Sequence, residues 1–424
     1  MEKRRVVVTG LGTINPTGEC TSKSWENIKE GKHGIGPITT FDTTDFKVKV
    51  AAEVKDFDPT LKLEKKEVRH MARFTQFALY AAEEAICDSG ICGKCEDYSF
   101  SSKPSEEDAA RVGVIVSCGI GGLDVIEQQH VRGEEKGYSF VSPFFVPMAI
   151  TNMAAARIAI SHGFKGMCSC PVTACAGGSN AVGDSFIRIR DGYEDVMVCG
   201  GAESCITPLG IAGFQNMKAL SDATDPDRAS IPFDKDRNGF VMGEGSGILV
   251  LEEYEHAKKR GAHIYAEIVG YGSNCDAYHI TSPSPNGEGG AACMELAIKD
   301  AGISKEDIDY INAHGTSTHL NDLYETMAIK QVFGEHAKNL LVSSTKSMTG
   351  HMLGGAGGVE AIFSVLALRD GFVPPTAGLK ESEEDMDLNY VPGKGVEKKL
   401  NYVLSNSLGF GGHNACVIFK AFEE

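Results

Sequence analysis

The chain has 424 residues, 42% hydrophobic and 23% charged, with 41 Lys plus Arg against 58 Asp plus Glu and a formal net charge of −17. That balance excludes fibrous and low-complexity classes and argues against nucleic acid or an anionic membrane as partner. The 49 glycines follow no collagen-like period, so they mark tight turns and close backbone approach.

The first residues, Met1-Glu2-Lys3-Arg4-Arg5, run straight into a strand at 5–9, without the apolar core and small-residue site of a signal peptide. No apolar run approaches the roughly 18 to 20 residues of a membrane span. The expectation is a cytoplasmic protein in which most of the 13 cysteines are free thiols, Cys92 and Cys95 among them as a thiol pair in a polar loop. Further strands are predicted at 112–117, 195–199, 247–252, 264–269, 308–312, 340–343, 402–405 and 415–419. Helices are predicted at 74–88, 178–191, 290–301, 320–333 and 357–370. The polar stretch 94–108 reads as a surface loop or insertion. The alternation argues an α/β fold with partly parallel sheets.

An internal echo organises the chain. Ala85-Ile86-Cys87-Asp88-Ser89-Gly90-Ile91 ends one helix and Ala297-Ile298-Lys299-Asp300-Ala301-Gly302-Ile303 another. Each follows a strand ending in Gly-x-Gly, at Gly10-Leu11-Gly12 and Gly270-Tyr271-Gly272, and each precedes a further strand. Three features repeated in one order argue two duplicated halves, 1–255 and 256–424, joined near 253–263. Gly10-Leu11-Gly12 is no dinucleotide fingerprint, because the third glycine position is Asn15 and Pro16 follows. Asp234–Gly239 starts like a calcium loop but has Gly245 where the bidentate acid belongs. No Walker segment exists.

Reactive side chains lie in glycine-rich segments. Cys175, within Thr173-Ala174-Cys175-Ala176-Gly177-Gly178, starts a helix, where free N–H groups and the dipole favour the thiolate. His314 sits where a strand meets a polar turn, and His351 follows Lys346 in a segment leading to Gly354, Gly355, Gly357 and Gly358. The C-terminal run 406–414 carries Phe410 between glycines.

Together with 6–12, 119–122, 142–147, 200–203 and 232–245, these segments resemble the elongating 3-oxoacyl-[acyl-carrier-protein] synthases of type II fatty-acid synthesis over essentially the whole chain. The resemblance implies a thiolase-like homodimer with five α/β/α/β/α layers. It also implies decarboxylative condensation of an acyl group on Cys175 with malonyl-carrier protein. His314 and His351 would stabilise the enolate, Lys346 would support them, and the N–H groups of Cys175 and Phe410 would form an oxyanion hole. Phe410 would also gate the site. Thr316 and Thr318 match hydroxyls for the phosphopantetheine arm, which arrives on the carrier, so no resident cofactor is expected. Ile120 and Phe214 match acyl-pocket residues, with core packing as the alternative. Glu325 matches a carboxylate expected to partner Lys346, and no metal is required, although Asn312, Glu360, Ser405 and Asn406 match a monovalent-cation site. Leu408, His319 and His413 depart from the common Phe, Pro and Thr. Acyl carrier proteins of this pathway are acidic, so docking on a chain of charge −17 requires a local basic face, expected at Lys65, Lys66, Arg69, Arg73 and Lys218. A dissociated polyketide ketosynthase shares this residue set. A non-catalytic chain-length partner lacks the nucleophile, and a Cys-His hydrolase has no use for two histidines.

Overall fold

The computed structural model describes residues 3–93, 95–100 and 103–423. Ten strands form one mixed sheet: β1 Val6–Ile14, β2 Val112–Ser117, β3 Cys168–Ser169, β4 Val196–Glu203, β5 Gly245–Glu253, β6 Ala266–Cys275, β7 Tyr310–Asn312, β8 Leu341–Ser343, β9 Tyr402–Gly409 and β10 His413–Ala421. Their order is β3-β2-β4-β5-β1-β6-β10-β9-β7-β8. Outward from the antiparallel β1–β6 seam, each half carries two antiparallel pairings and then two parallel ones. The sheet therefore has the same plan read from either edge.

Six helices supply the layers: α1 Arg73–Ser89, α2 Met153–His162, α3 Gly177–Arg190, α4 Glu288–Ala301, α5 His319–Phe333 and α6 Ala356–Asp370. Alternate residues of each strand face opposite sides, so both faces of every central strand need cover. Val112, Val114, Val116, Val196 and Val198 pack on α1 and α2. Ile115, Met197 and Cys199 turn to the opposite side, against α3 and α6. Those two helices also pack on Val403, Val417 and Phe419 from the second half of the sheet. Ile311, Leu404 and Ile418 face outward again, onto α4 and α5. Five layers, α/β/α/β/α, follow from this alternation.

The sequence echo has a packing cause. A Cβ on Gly10 or Gly12 would lie 2.2 or 2.0 Å from the carbonyl oxygens of Ala85 and Ala81 on α1. One on Gly270 or Gly272 would lie 2.5 or 2.2 Å from those of Ala297 and Cys293 on α4. Only glycine lets each helix approach its strand so closely. A register shift precedes each pair, at Val8/Gly10 and Ile268/Gly270. In each case the N–H between the glycines donates to an aspartate: Leu11 N to Asp88 at 2.9 Å and Tyr271 N to Asp300 at 3.2 Å. The strand readings fall short at β1, β4 and β6, which continue through glycines to Ile14, Glu203 and Cys275, and at β9, which runs on through Asn406-Ser407-Leu408 to Gly409.

Two cysteine expectations are corrected. Cys95 is bonded to Cys87, on the last turn of α1, and not paired with Cys92 as a thiol neighbour; Cys92 is buried separately. The described part of 94–108 contains the paired strands Cys95–Glu96 and Ser99–Phe100 and the helix Glu106–Ala109, while Lys94, Ser101 and Ser102 lie outside the described residues. No helix among the described residues is long and apolar enough to cross a membrane.

Candidate active site

Cys175 lies on a 3-10 turn, Ala174–Ala176, that runs directly into α3. Ala174 holds a left-handed φ of +49°, a conformation costly for a residue with a Cβ, and it turns the chain sharply at Cys175. Gly409 passes so close that a Cβ there would sit 3.1 Å from the Cys175 nitrogen. The backbone N–H groups of Phe410 and of Cys175 itself act in favour of the thiolate. Burial nevertheless dominates the thiol and pushes its pKa up to about 12, against the Lys346 charge and the Phe410 N–H. The expectation that the helix start favours the thiolate is therefore corrected: burial outweighs it and favours the neutral thiol.

The histidines come from the second half of the sheet. His314 follows β7, and its ring meets that of His351 edge-on with centroids 5.2 Å apart. Phe240 packs edge-on against His351 at 5.3 Å. The Lys346 ammonium lies 3.3 Å from His314 Nδ1 and is ion-paired with Glu360. An ammonium only donates, so Nδ1 accepts and the His314 proton resides on Nε2. Burial first, then the Lys346 charge, holds both imidazoles well below their ordinary pKa of 6.5. Both are neutral at pH 7.

Glu325 corrects a second expectation. It does not partner Lys346; its carboxylate accepts the N–H groups of His314 and Gly315 at 2.7 and 2.8 Å, and Glu360 takes the lysine. Nor does Glu325 line the cavity assigned to substrate. Burial pushes its pKa up to about 7. One turn earlier on α5, Asp322 accepts Thr316 N at 3.0 Å and Phe233 N at 2.9 Å. Two carboxylates at i, i+3 thus fasten the 314–316 loop to one helix. Arg237, 1% exposed, donates to the His319 carbonyl at 2.9 Å and to Glu383 at 2.8 Å. Sequence reading missed Asp322 and Arg237, although an acid three residues before Glu325 was the available signal.

A cavity of about 660 Å³ gathers Cys175, His314, His351 and Phe410, with Ile120, Phe214, Thr316, Thr318 and Lys218 also in its wall. Phe410 and Phe214 lie 6.2 Å apart, and the hydroxyls of Thr316 and Thr318 bond each other at 2.9 Å. Leu408 and His319 line it too. Lys65, Lys66 and Arg69 are exposed on and beside the short helix Lys65–Val68, away from the cavity wall. Arg73 departs from that group: it is committed to Glu244 through bonds of 2.7 and 3.0 Å, so its docking assignment is withdrawn. Among the described residues, Asn312 Oδ1 and Nδ2, Ser405 Oγ and Glu360 Oε2 are buried without hydrogen-bond partners. Asn406 is turned to Glu325 and Met294.

Both halves of this arrangement match known sequences. Residues 3–257 match the beta-ketoacyl synthase N-terminal domain and residues 265–380 the beta-ketoacyl synthase C-terminal domain, so the chain belongs to the beta-ketoacyl synthase family. It is 51% identical to 3-oxoacyl-[acyl-carrier-protein] synthase 2 of Synechocystis sp., over 100% of this chain and 99% of that one. To the protein of the same name from Staphylococcus aureus (strain COL) it is 48% identical, again over 100% and 99%. Among solved structures, a beta-ketoacyl synthase from Burkholderia phymatum superposes with a TM-score of 0.89 at 32% identity, covering 99% of this chain and 100% of that one. A type II PKS acyl-carrier protein in complex with its ketosynthase bound to the hexaketide gives the same TM-score and coverage at 35% identity.

Proposed function

We propose that this chain is a 3-oxoacyl-[acyl-carrier-protein] synthase acting in fatty-acid elongation. The observation that carries the reading is one cavity holding a buried thiol beside two neutral imidazoles. The Cys175 sulfur attacks the carbonyl carbon of an acyl thioester; the new S–C bond forms as the carrier sulfur leaves with the Cys175 proton. The N–H groups of Cys175 and Phe410 receive the negative oxygen of the tetrahedral intermediate. Malonyl thioester then loses carbon dioxide, and the electron pair of the broken C–C bond becomes an enolate. Its oxygen accepts from the His314 Nε2–H, fixed there by Lys346, and from His351. Neutral donors suit this step, because they stabilise the enolate without handing it a proton. The enolate carbon attacks acyl-Cys175, sulfur leaves and is reprotonated, and the product is a 3-oxoacyl thioester two carbons longer.

The test is a condensation assay with acyl- and malonyl-carrier protein. Cys175→Ala should abolish condensation by at least about 10³-fold; retained condensation sinks the assignment. The second reading, a dissociated polyketide ketosynthase, draws on the ketosynthase similar at 35% identity, and products made with different malonyl extenders separate the two.

The finer assignments belong to the same proposal. Thr316 and Thr318 hold the phosphopantetheine arm, Ile120 and Phe214 bound the acyl chain, and Phe410 gates it. Lys65, Lys66, Arg69 and Lys218 attract an acidic acyl carrier protein. A homodimer is supported by exposed Tyr138, Phe140, Val146, Ile160 and Val172 and by the open edge of β3. Eleven unpaired cysteines fit a reducing, cytoplasmic setting. The halves divide near 255, between β5 and β6. The orphaned oxygens of Asn312, Ser405 and Glu360 fit a monovalent cation, which would supply local positive charge beside the Lys346–Glu360 pair.

A further inference from the structure

Glu203 ends β4 with its side chain wholly inside the protein, 0% exposed, and among the described residues no cation lies against it. Five donors converge on its carboxylate instead. Oε2 accepts Gly119 N at 2.7 Å and Gly354 N at 3.1 Å. Oε1 accepts Ile120 N at 3.3 Å and the thiols of Cys118 and Cys205 at 3.2 and 3.4 Å. Leaving a buried carboxylate unpaired is expensive, and charge-assisted bonds to backbone N–H groups are the strong kind. The two backbones it joins are in direct contact: a Cβ on Gly354 would lie 2.4 Å from Gly119 N, and one on Gly119 2.6 Å from Glu203 Oε2.

The segments so joined are two walls of the reaction cavity. Ile120 and Leu353 both line it, and Leu353 is two residues from His351. They come from opposite halves of the sheet, and the carboxylate is what holds their main chains together. We infer that Glu203 is a positioning residue that locks the Ile120 and Leu353 walls against each other and thereby limits the length of acyl chain that reaches Cys175. This rests on the reading that the cavity takes an acyl thioester. Glu203 touches no substrate; it acts through the backbone N–H groups of the wall.

Glu203→Gln keeps the shape but presents an amide NH2 to N–H or S–H donors on one side. The readout is acylation of Cys175 by acyl thioesters of graded length, followed by intact mass, with condensation measured separately. The expected result is a change of at least about tenfold in the ratio of longest to shortest accepted chain, the scale that pocket contacts set for one or two methylenes. Alkylation of Cys175 by iodoacetamide, which needs no wall, should change less than about twofold. Equal loss at every chain length, or an unchanged ratio, overturns the inference. Should Glu203→Gln fail to fold, Cys118→Ala decides it by the same ratio. It removes one donor to the carboxylate and the acceptor of Gly121 N. A shift of at least about threefold supports the inference and an unchanged ratio overturns it. Wild-type acylation without condensation would refute the proposed function and leave this inference standing.

Discussion

At the scale of single residues, the site is governed by burial. The same exclusion of water that raises the Cys175 thiol lowers both imidazoles, so the reacting groups start neutral. The folded pKa values of the two imidazoles lie below the ordinary 6.5, so the folded protein refuses protons that the unfolded chain binds. Stability is therefore lost as pH falls below 6.5, and the histidines keep their neutral form down to that point. Malonyl decarboxylation should stay flat from pH 7.5 to 6.5 and decline only well below; a rate that halves at 6.5 would show the imidazoles to be unperturbed. Glycine-rich neighbours set Cys175, His314 and His351 apart in the sequence, but only the resemblance to a known family joined them into one site. The partner of Lys346 was not legible: Glu325 and Glu360 are both acids at plausible separations, and only the direction in which α6 presents Glu360 decides between them.

At the scale of elements, α5 acts as an anchor for the loop that carries His314. Glu325 has a folded pKa of about 7 against an ordinary 4.5. The folded state thus holds a proton that the unfolded chain releases, and stability falls as pH rises from 4.5 towards 7, by about 3 kcal/mol if the whole shift is realised. Glu325→Gln lacks that proton, so wild type should lose stability relative to the variant across this window in parallel urea titrations. A constant difference would argue that Glu325 is already ionised. Most strands and helices were readable from periodicity, but β1, β4, β6 and β9 ran beyond their expected ends and α2 had no counterpart among the expected helices. Glycine signals a turn to a sequence reader, whereas Gly10 and Gly12 stay extended and admit α1. The Cys87–Cys95 bond escaped for a related reason: nearness along the chain favoured Cys92, but the last turn of α1 brings Cys87 to the hairpin strand.

At the scale of the whole molecule, charge must be read locally. Lys66 is paired with exposed Glu64, whereas Arg73 neutralises Glu244, whose side chain is 2% exposed. The two cations should therefore fail differently. Reversing charge at Lys66 and Arg69 should weaken carrier-protein binding at low salt and leave the melting temperature unchanged, because surface pairs contribute little. Arg73→Ala should cost about 1 to 3 kcal/mol of stability, since it removes the cation from a buried carboxylate that keeps, among the described residues, only the Val54 N–H and the Ser204 hydroxyl as donors. Unchanged carrier affinity in the first variant, or an unchanged melting temperature in the second, would reverse these roles.

The shared middle layer carries one more implication. Helices α3 and α6 present apolar side chains to both halves of the sheet at once, so neither half has a complete interior of its own. Duplication in sequence then need not mean independence in folding. Unfolding should be a single cooperative event rather than two, and a fragment ending at 257 should remain collapsed and aggregation-prone until the remainder of the chain supplies α6. Cys175 and the two histidines become neighbours in that same event, so the cavity they share forms all at once.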